Sequence, residues 1–228
     1  MAEEVLTLQV LGYSVGNAPP REAGAVLVLH TSRGDIPCLF HPPAGGTRTA
    51  VVWVWGARGG YAGPAGLYRR LARDLAGEGI ASLRLDYRYP GFFEESVMDV
   101  LAGATFLKGV GFRRLALVGH SFGGAVVIAS APFCDAVCAV VALSPQTYGA
   151  QFADRLSPRP LLLVHGEADE VLSPECSRRI YAWAREPKEL VLYPGAGHGL
   201  RECAEEVYGL LRAWLPRRLE VAPSGQET

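Results

Sequence analysis

Residues 115–132 read LALVGHSFGGAVVIASAP. A short apolar run breaks at Gly119-His120-Ser121-Phe122-Gly123 and then resumes at a different spacing, as a strand that turns abruptly into a helix does. A turn that sharp leaves no room for side chains two places before and two places after the serine, and glycines stand at both. It lifts the Ser121 hydroxyl above the sheet edge and aims the N-terminus of the following helix at it. In a chain with 27 glycines a bare G-x-S-x-G arises easily by chance. The strand–turn–helix context makes Ser121 a candidate nucleophile.

Outward from this stretch, short β-branched runs alternate with longer helical patterns. The spacing predicts strands in GAVLVLHTS, DIPCLFHPP, TAVVWVWG, IASLRLDYR, RRLALVGHS, AVCAVVALSP, RPLLLVHGEAD and ELVLYPGAGHG. Helices are expected in GPAGLYRRLARDLAGEG, EESVMDVLAGATFLKGVG and FGGAVVIASA. Two more are expected near 174–186, with Ser173 as N-cap and Pro174 at N1, and near 200–215. Strands that alternate with helices pair in parallel, so the expected fold class is α/β: a doubly wound, mostly parallel eight-stranded sheet flanked by helices, in one domain over 1–228. Residues 217–228 read as a flexible tail. Ligands in such sheets bind at the carboxyl ends of the strands, where Ser121 stands.

A serine hydroxyl is a weak nucleophile and needs a base. The chain has five histidines. His30 and His41 flank the early hairpin. The His120 side chain should point away from that of Ser121, and His165, with Gly166 behind it, reads as structural. His198 alone combines a strand-end loop with freedom to orient, in PGAGHGL. The base in turn needs a carboxylate, and EADEV offers Glu167, Asp169 and Glu170. Asp169 is the expected acid, since Glu167 lies closest to the strand and Glu170 should face solvent. The order Ser121, Asp169, His198 is the order that triads on such sheets follow.

These stretches (LVGHSFGG, HGEADEV, PGAGHG and YRRLARDLAGEGIASLRLDYRYPG) resemble the α/β-hydrolase superfamily, over about residues 25–215. The resemblance implies the same roles for Ser121, His198 and Asp169. It also implies an oxyanion hole from the backbone N–H of Phe122 and a second donor after AVVWVWG. Family members commonly carry His-Gly there; this chain has Trp55-Gly56, which leaves Ala57 as the expected donor and Arg58 as the alternative. Lids of the superfamily are inserted after the sixth strand. Only about 14 residues separate Pro145 from Pro160, too few for a cap domain. The chain is thus similar to the compact lidless group that includes dienelactone hydrolases and small carboxylesterases. Dienelactone hydrolases typically use a cysteine nucleophile, so Ser121 argues against that exact activity. Arg58 is a candidate for a substrate carboxylate, and Tyr89, Phe92 and Phe93 for an acyl or aromatic pocket. Asp86 and Arg88 should brace that loop.

The expected activity is a serine hydrolase acting on an ester or thioester, with no metal or cofactor. The alternatives are acyl transfer or perhydrolysis by the same residues, and a non-catalytic binding protein on the same fold. A net charge of −1 gives no reason to expect a nucleic acid or an anionic membrane as partner. No apolar run approaches the ~20 residues of a membrane span. The acidic N-terminus is unlike a secretory signal, so a cytoplasmic location is expected. Five scattered cysteines predict reduced, mostly buried thiols rather than a zinc site.

Overall fold

The computed structural model describes residues 7–17, 22 and 24–220. The apolar runs become strands because each sends its side chains alternately into two buried layers. The strands are Val10–Asn17 (β1), Ala25–Thr31 (β2), Gly34–His41 (β3), Thr49–Val54 (β4), Ala81–Leu85 (β5), Arg114–His120 (β6), Val137–Leu143 (β7), Leu161–Gly166 (β8) and Lys188–Tyr193 (β9). They form one sheet in the order β1-β2-β3-β5-β4-β6-β7-β8-β9. The pairs from β1 to β5 are antiparallel, and from β5 to β9 every pair is parallel. In β4, Ala50, Val52 and Val54 face a layer built by Phe93–Gly109 (α2), Phe122–Ser130 (α3) and Glu175–Trp183 (α4). Val51 and Trp53 face the other layer, formed by Leu67–Gly77 (α1) and Ala204–Leu219 (α5). Along α1, the i, i+4 series Leu67, Leu71 and Leu75 is fully buried there.

The α/β class and the flanking helices are as expected, and the segment between β7 and β8 carries only a short 3-10 turn, Ala153–Leu156, with no cap. The sheet has nine strands rather than eight. The extra strand, β1, alternates Leu11, Tyr13 and Val15 with Gly12, Ser14 and Gly16, but it pairs as an antiparallel edge strand on β2 and buries little of that apolar face. Leu11, Tyr13 and Val15 remain exposed, and a bulge interrupts the register between Val10 and Gly12. Two helix boundaries also shift. Pro174 itself caps α4, while the Ser173 hydroxyl accepts from the Glu175 N–H at 3.3 Å. The segment assigned to a tail from 217 begins inside α5, which runs through Pro216 to Leu219. Its last turn survives because Arg114, at the start of β6, donates to the Leu219 and Arg218 carbonyls at 3.2 and 2.9 Å. The rest of that expected tail, 221–228, lies outside the described residues.

The crossings place the site. β5 lies on one side of β4 and β6 on the other, because α1 and α2 carry the chain over opposite faces. This reversal opens a crevice at the carboxyl ends of β4 and β6. Val54 and Gly119 are partners in that register, so the Trp55-Gly56 loop and Ser121 leave the sheet side by side. All five cysteines are free thiols, with Cys38, Cys134 and Cys203 buried and Cys138 and Cys176 partly so. Among the described residues no helix is long and apolar enough to cross a membrane.

Replacing Arg114 by Met should remove the cap on α5 and lower unfolding stability by about 1–2 kcal/mol. Urea unfolding of the two proteins checks this; an unchanged midpoint would mean that the last turn holds without Arg114.

Candidate active site

Ser121 sits between β6 and α3 with φ 58° and ψ −120°, in a region that side chains other than glycine rarely occupy. It is held there by its N–H on the Leu143 carbonyl at 2.8 Å and by the Gly124 N–H on its own carbonyl at 3.0 Å. The flanking glycines are required by contact. A Cβ at Gly119 would overlap the Gly123 carbonyl, and one at Gly123 would overlap the Trp55 carbonyl. Phe122 opens α3, so its N–H is among those that no intrahelical carbonyl accepts. Gly56 lies beside the serine, within about 4 Å of its Oγ for a Cβ built there, and Ala57 and Arg58 follow in the same cleft.

The three residues singled out from sequence meet. The Ser121 Oγ is 3.0 Å from His198 Nε2, and His198 Nδ1 is 2.8 Å from Asp169 Oδ2. A hydroxyl that donates to Nε2 requires the proton on Nδ1, and Nδ1–H then donates to the carboxylate. The other oxygen, Asp169 Oδ1, accepts from the Val171 and Leu172 N–H groups, each at 2.8 Å. Burial alone would raise the Asp169 carboxyl. The Leu172 N–H, His198 and the Val171 N–H outweigh it and hold the group below the usual carboxylate range. The rival acids turn elsewhere: Glu167 pairs with Arg178 at 3.3 Å, and Glu170 is exposed.

Two histidines complete the site in ways that the sequence did not disclose. His120, expected to point away from Ser121, lines the same cleft, donates its Nε2–H to the His198 carbonyl at 2.9 Å and has its ring 4.8 Å from the His198 ring. His165 is fully buried, with Nε2 3.0 Å from Asp169 Oδ2 and 2.9 Å from the Leu172 carbonyl, and Nδ1 2.7 Å from the Ser177 Oγ. Burial lowers both rings, His120 to about 4, so both are neutral at pH 7. No periodicity could reveal these partners, since Ser177 and His165 meet only when α4 packs on β8.

The cleft around Ser121 encloses about 490 Å³ between Trp55, Ala57, Pro64, Val171, His198 and Gly199. Arg58 and Arg201 line it too, and neither pairs with an acid among the described residues. Arg201 went unnoticed in the sequence because arginines are plentiful. The aromatic trio lies elsewhere. Tyr89 and Phe92 are 47% and 67% exposed, while Phe93 packs on Phe122 and Tyr148 and lines a separate apolar groove of about 400 Å³. Asp86 braces the loop before the serine, as its Oδ1 accepts from the Gly60 N–H at 2.6 Å and the Tyr87 N–H at 2.9 Å. Arg88 pairs with Glu95 and Asp99. No cluster of three or more His, Cys, Asp or Glu side chains among the described residues is arranged to hold a metal.

The same architecture occurs in Est1E from Butyrivibrio proteoclasticus, with a TM-score of 0.75 and 18% identity over 85% of this chain and 98% of that one. It occurs also in XC6422 from Xanthomonas campestris, described as an α/β serine hydrolase without a lid. There the TM-score is 0.72 at 22% identity, covering 91% of this chain and all of that one. At such identities the likeness establishes the fold. In sequence, the uncharacterised protein YfhR of Escherichia coli O157:H7 is 34% identical over 109 residues, covering 38% of each chain. An uncharacterised protein of Mycobacterium tuberculosis (strain ATCC 25618 / H37Rv) is 30% identical over 190 residues, 70% of this chain and 66% of that protein. The chain thus spans 38% of the length of YfhR. The fold is that of the α/β-hydrolase superfamily. A sequence model of the dienelactone hydrolase family matches residues 67–212, and the chain belongs to that family.

The buried histidines set a pH limit on the fold. His41, which accepts from Arg84 at 3.1 Å, is lowered to about 4 by burial and by Arg84, and His120 by burial also to about 4. Unfolding returns both to about 6.5, so the unfolded chain binds more protons between those values. Stability is complete above about pH 6.5 and falls as the pH drops toward 4, by up to roughly 3 kcal/mol for each ring. Thermal melts should give a clearly lower Tm at pH 5 than at pH 7.5; a flat profile down to pH 4.5 would contradict this account.

Proposed function

We propose that the protein is a serine hydrolase that cleaves a carboxylic ester or thioester through an acyl-enzyme. The observation that carries this reading is the unbroken hydrogen-bonded chain from Ser121 through His198 to Asp169. Ser121 Oγ attacks the carbonyl carbon while His198 Nε2 takes its proton. Asp169 stays ionised and stabilises the imidazolium that forms. The Phe122 N–H and the Ala57 N–H receive the oxyanion. The intermediate then collapses, His198 protonates the leaving group, and water repeats the sequence in reverse on the acyl-enzyme. An open cleft admits that water without a lid having to move.

Intact-mass analysis after treatment with a fluorophosphonate tests the reading. Ser121 should displace fluoride and gain one adduct, and Ser121→Ala should gain none. No adduct on the folded protein would favour a binding role for the same cleft. Acyl transfer to an acceptor other than water would show as labelling without ester hydrolysis.

The arginines refine the substrate. Arg58 and Arg201 line the cleft with no acidic partner among the described residues, which favours an ester that carries its own carboxylate. Arg58→Gln should raise KM about tenfold for acid-bearing esters and leave neutral esters unaffected. Equal effects on both classes would place Arg58 in solvent rather than on the substrate.

A further inference from the structure

Asp169 Oδ2 accepts two imidazole hydrogens, one from His198 at 2.8 Å and one from His165 at 3.0 Å. The His165 proton is located by its partners. Nε2 faces two acceptors, Asp169 Oδ2 and the Leu172 carbonyl, so it carries the hydrogen, and Nδ1 is left to accept from the Ser177 hydroxyl at 2.7 Å. The ring has no freedom to do otherwise, being fully buried between β8 and α4. We propose that His165 is a positioning residue for the base. Its donation locks the Asp169 rotamer and draws off part of the negative charge that His198 would otherwise see. This rests on the hydrolase reading above, in which His198 is the base.

The arrangement has a consequence for proton affinity. A carboxylate oxygen shared between two donors stabilises an imidazolium less than one devoted to His198 alone. Removing the His165 donor would leave the charge of that oxygen to His198 alone. The groups facing His198 are Asp169, Ser121, His120 on β6, Arg201 and Glu202 on its own loop, and Arg58 across the cleft. Those facing His165 are Asp169, the Leu172 carbonyl and the Ser177 hydroxyl on α4, with the His198 ring beyond Asp169. Only His165 among them touches the same carboxylate oxygen as His198.

The test is a histidine ¹⁵N titration of the unaltered protein between about pH 5 and 9, with His198 assigned by its loss in His198→Gln. His165 should appear as the neutral Nε2–H tautomer throughout. In His165→Leu the His198 titration should move up by about half a pH unit or more, and the acid limb of kcat/KM should move with it. In His165→Gln, which keeps an N–H donor at the Nε2 position, both should stay within about 0.2 unit of the unaltered protein. An Nδ1–H tautomer in the unaltered protein overturns the proposal without recourse to any variant. So does a loss of kcat in His165→Leu with both titrations unmoved, which is the signature of a purely structural role. Should His198 shift as expected in a protein that takes no fluorophosphonate adduct, the hydrolase reading falls and the coupling between the two rings is upheld.

Discussion

The site depends on backbone lying against backbone at the head of β6. The Gly123 backbone reaches the Trp55 carbonyl at the end of β4, and Gly119 folds onto the Gly123 carbonyl, with no side chain between them. This contact holds the two loops that leave β4 and β6 side by side at the mouth of the cleft. A methyl group at either glycine would have to push the loops apart, and overpacking of that kind typically costs 1–3 kcal/mol. The aromatic rings around the turn serve the same contact. The Tyr87 hydroxyl donates to the Trp55 carbonyl and the Tyr68 hydroxyl to the Val54 carbonyl, both at 3.1 Å, so the carbonyls left at the strand end are satisfied.

The electrostatic design is a single charge with a graded shell around it. Asp169 is the only carboxylate placed in the hydrogen-bonded chain, and its partners comprise two backbone N–H groups and two imidazoles. Desolvation opposes the charge, and the donors win. His120 and His165 are kept neutral by the same burial, which matters because the His120 ring lies 4.8 Å from that of His198. A second cation at that distance would repel any positive charge on the His198 ring. Neutral rings can brace His198 without competing with it for charge.

Much of this was legible in the sequence, for physical reasons that differ residue by residue. The elbow was readable because sterics leave glycine as the only choice at positions 119 and 123. His198 and Asp169 followed by elimination among few candidates on strand-end loops. β1 was missed although Leu11, Tyr13 and Val15 alternate with Gly12, Ser14 and Gly16, because that alternation is diluted by glycine and its apolar side chains stay exposed at the sheet edge. The end of α5 was obscured by Pro216, whose disruption is offset by Arg114, about a hundred residues away in the chain. Tyr89, Phe92 and Phe93 illustrate a different limit. Proximity in sequence to a strand end does not say on which side of Phe122 a ring will fall, and Phe93 falls on the groove side.

The backbone of Ser121 carries one more implication. Its φ of 58° is a conformation that glycine adopts freely and serine does not. Selection for a sturdier fold, acting alone, would therefore favour glycine at this position and erase the hydroxyl. A serine at this turn, like Ala65, Ser144 and Leu200 with their own positive φ, holds less stability than glycine would there, and what it adds is a hydroxyl that lines the cleft.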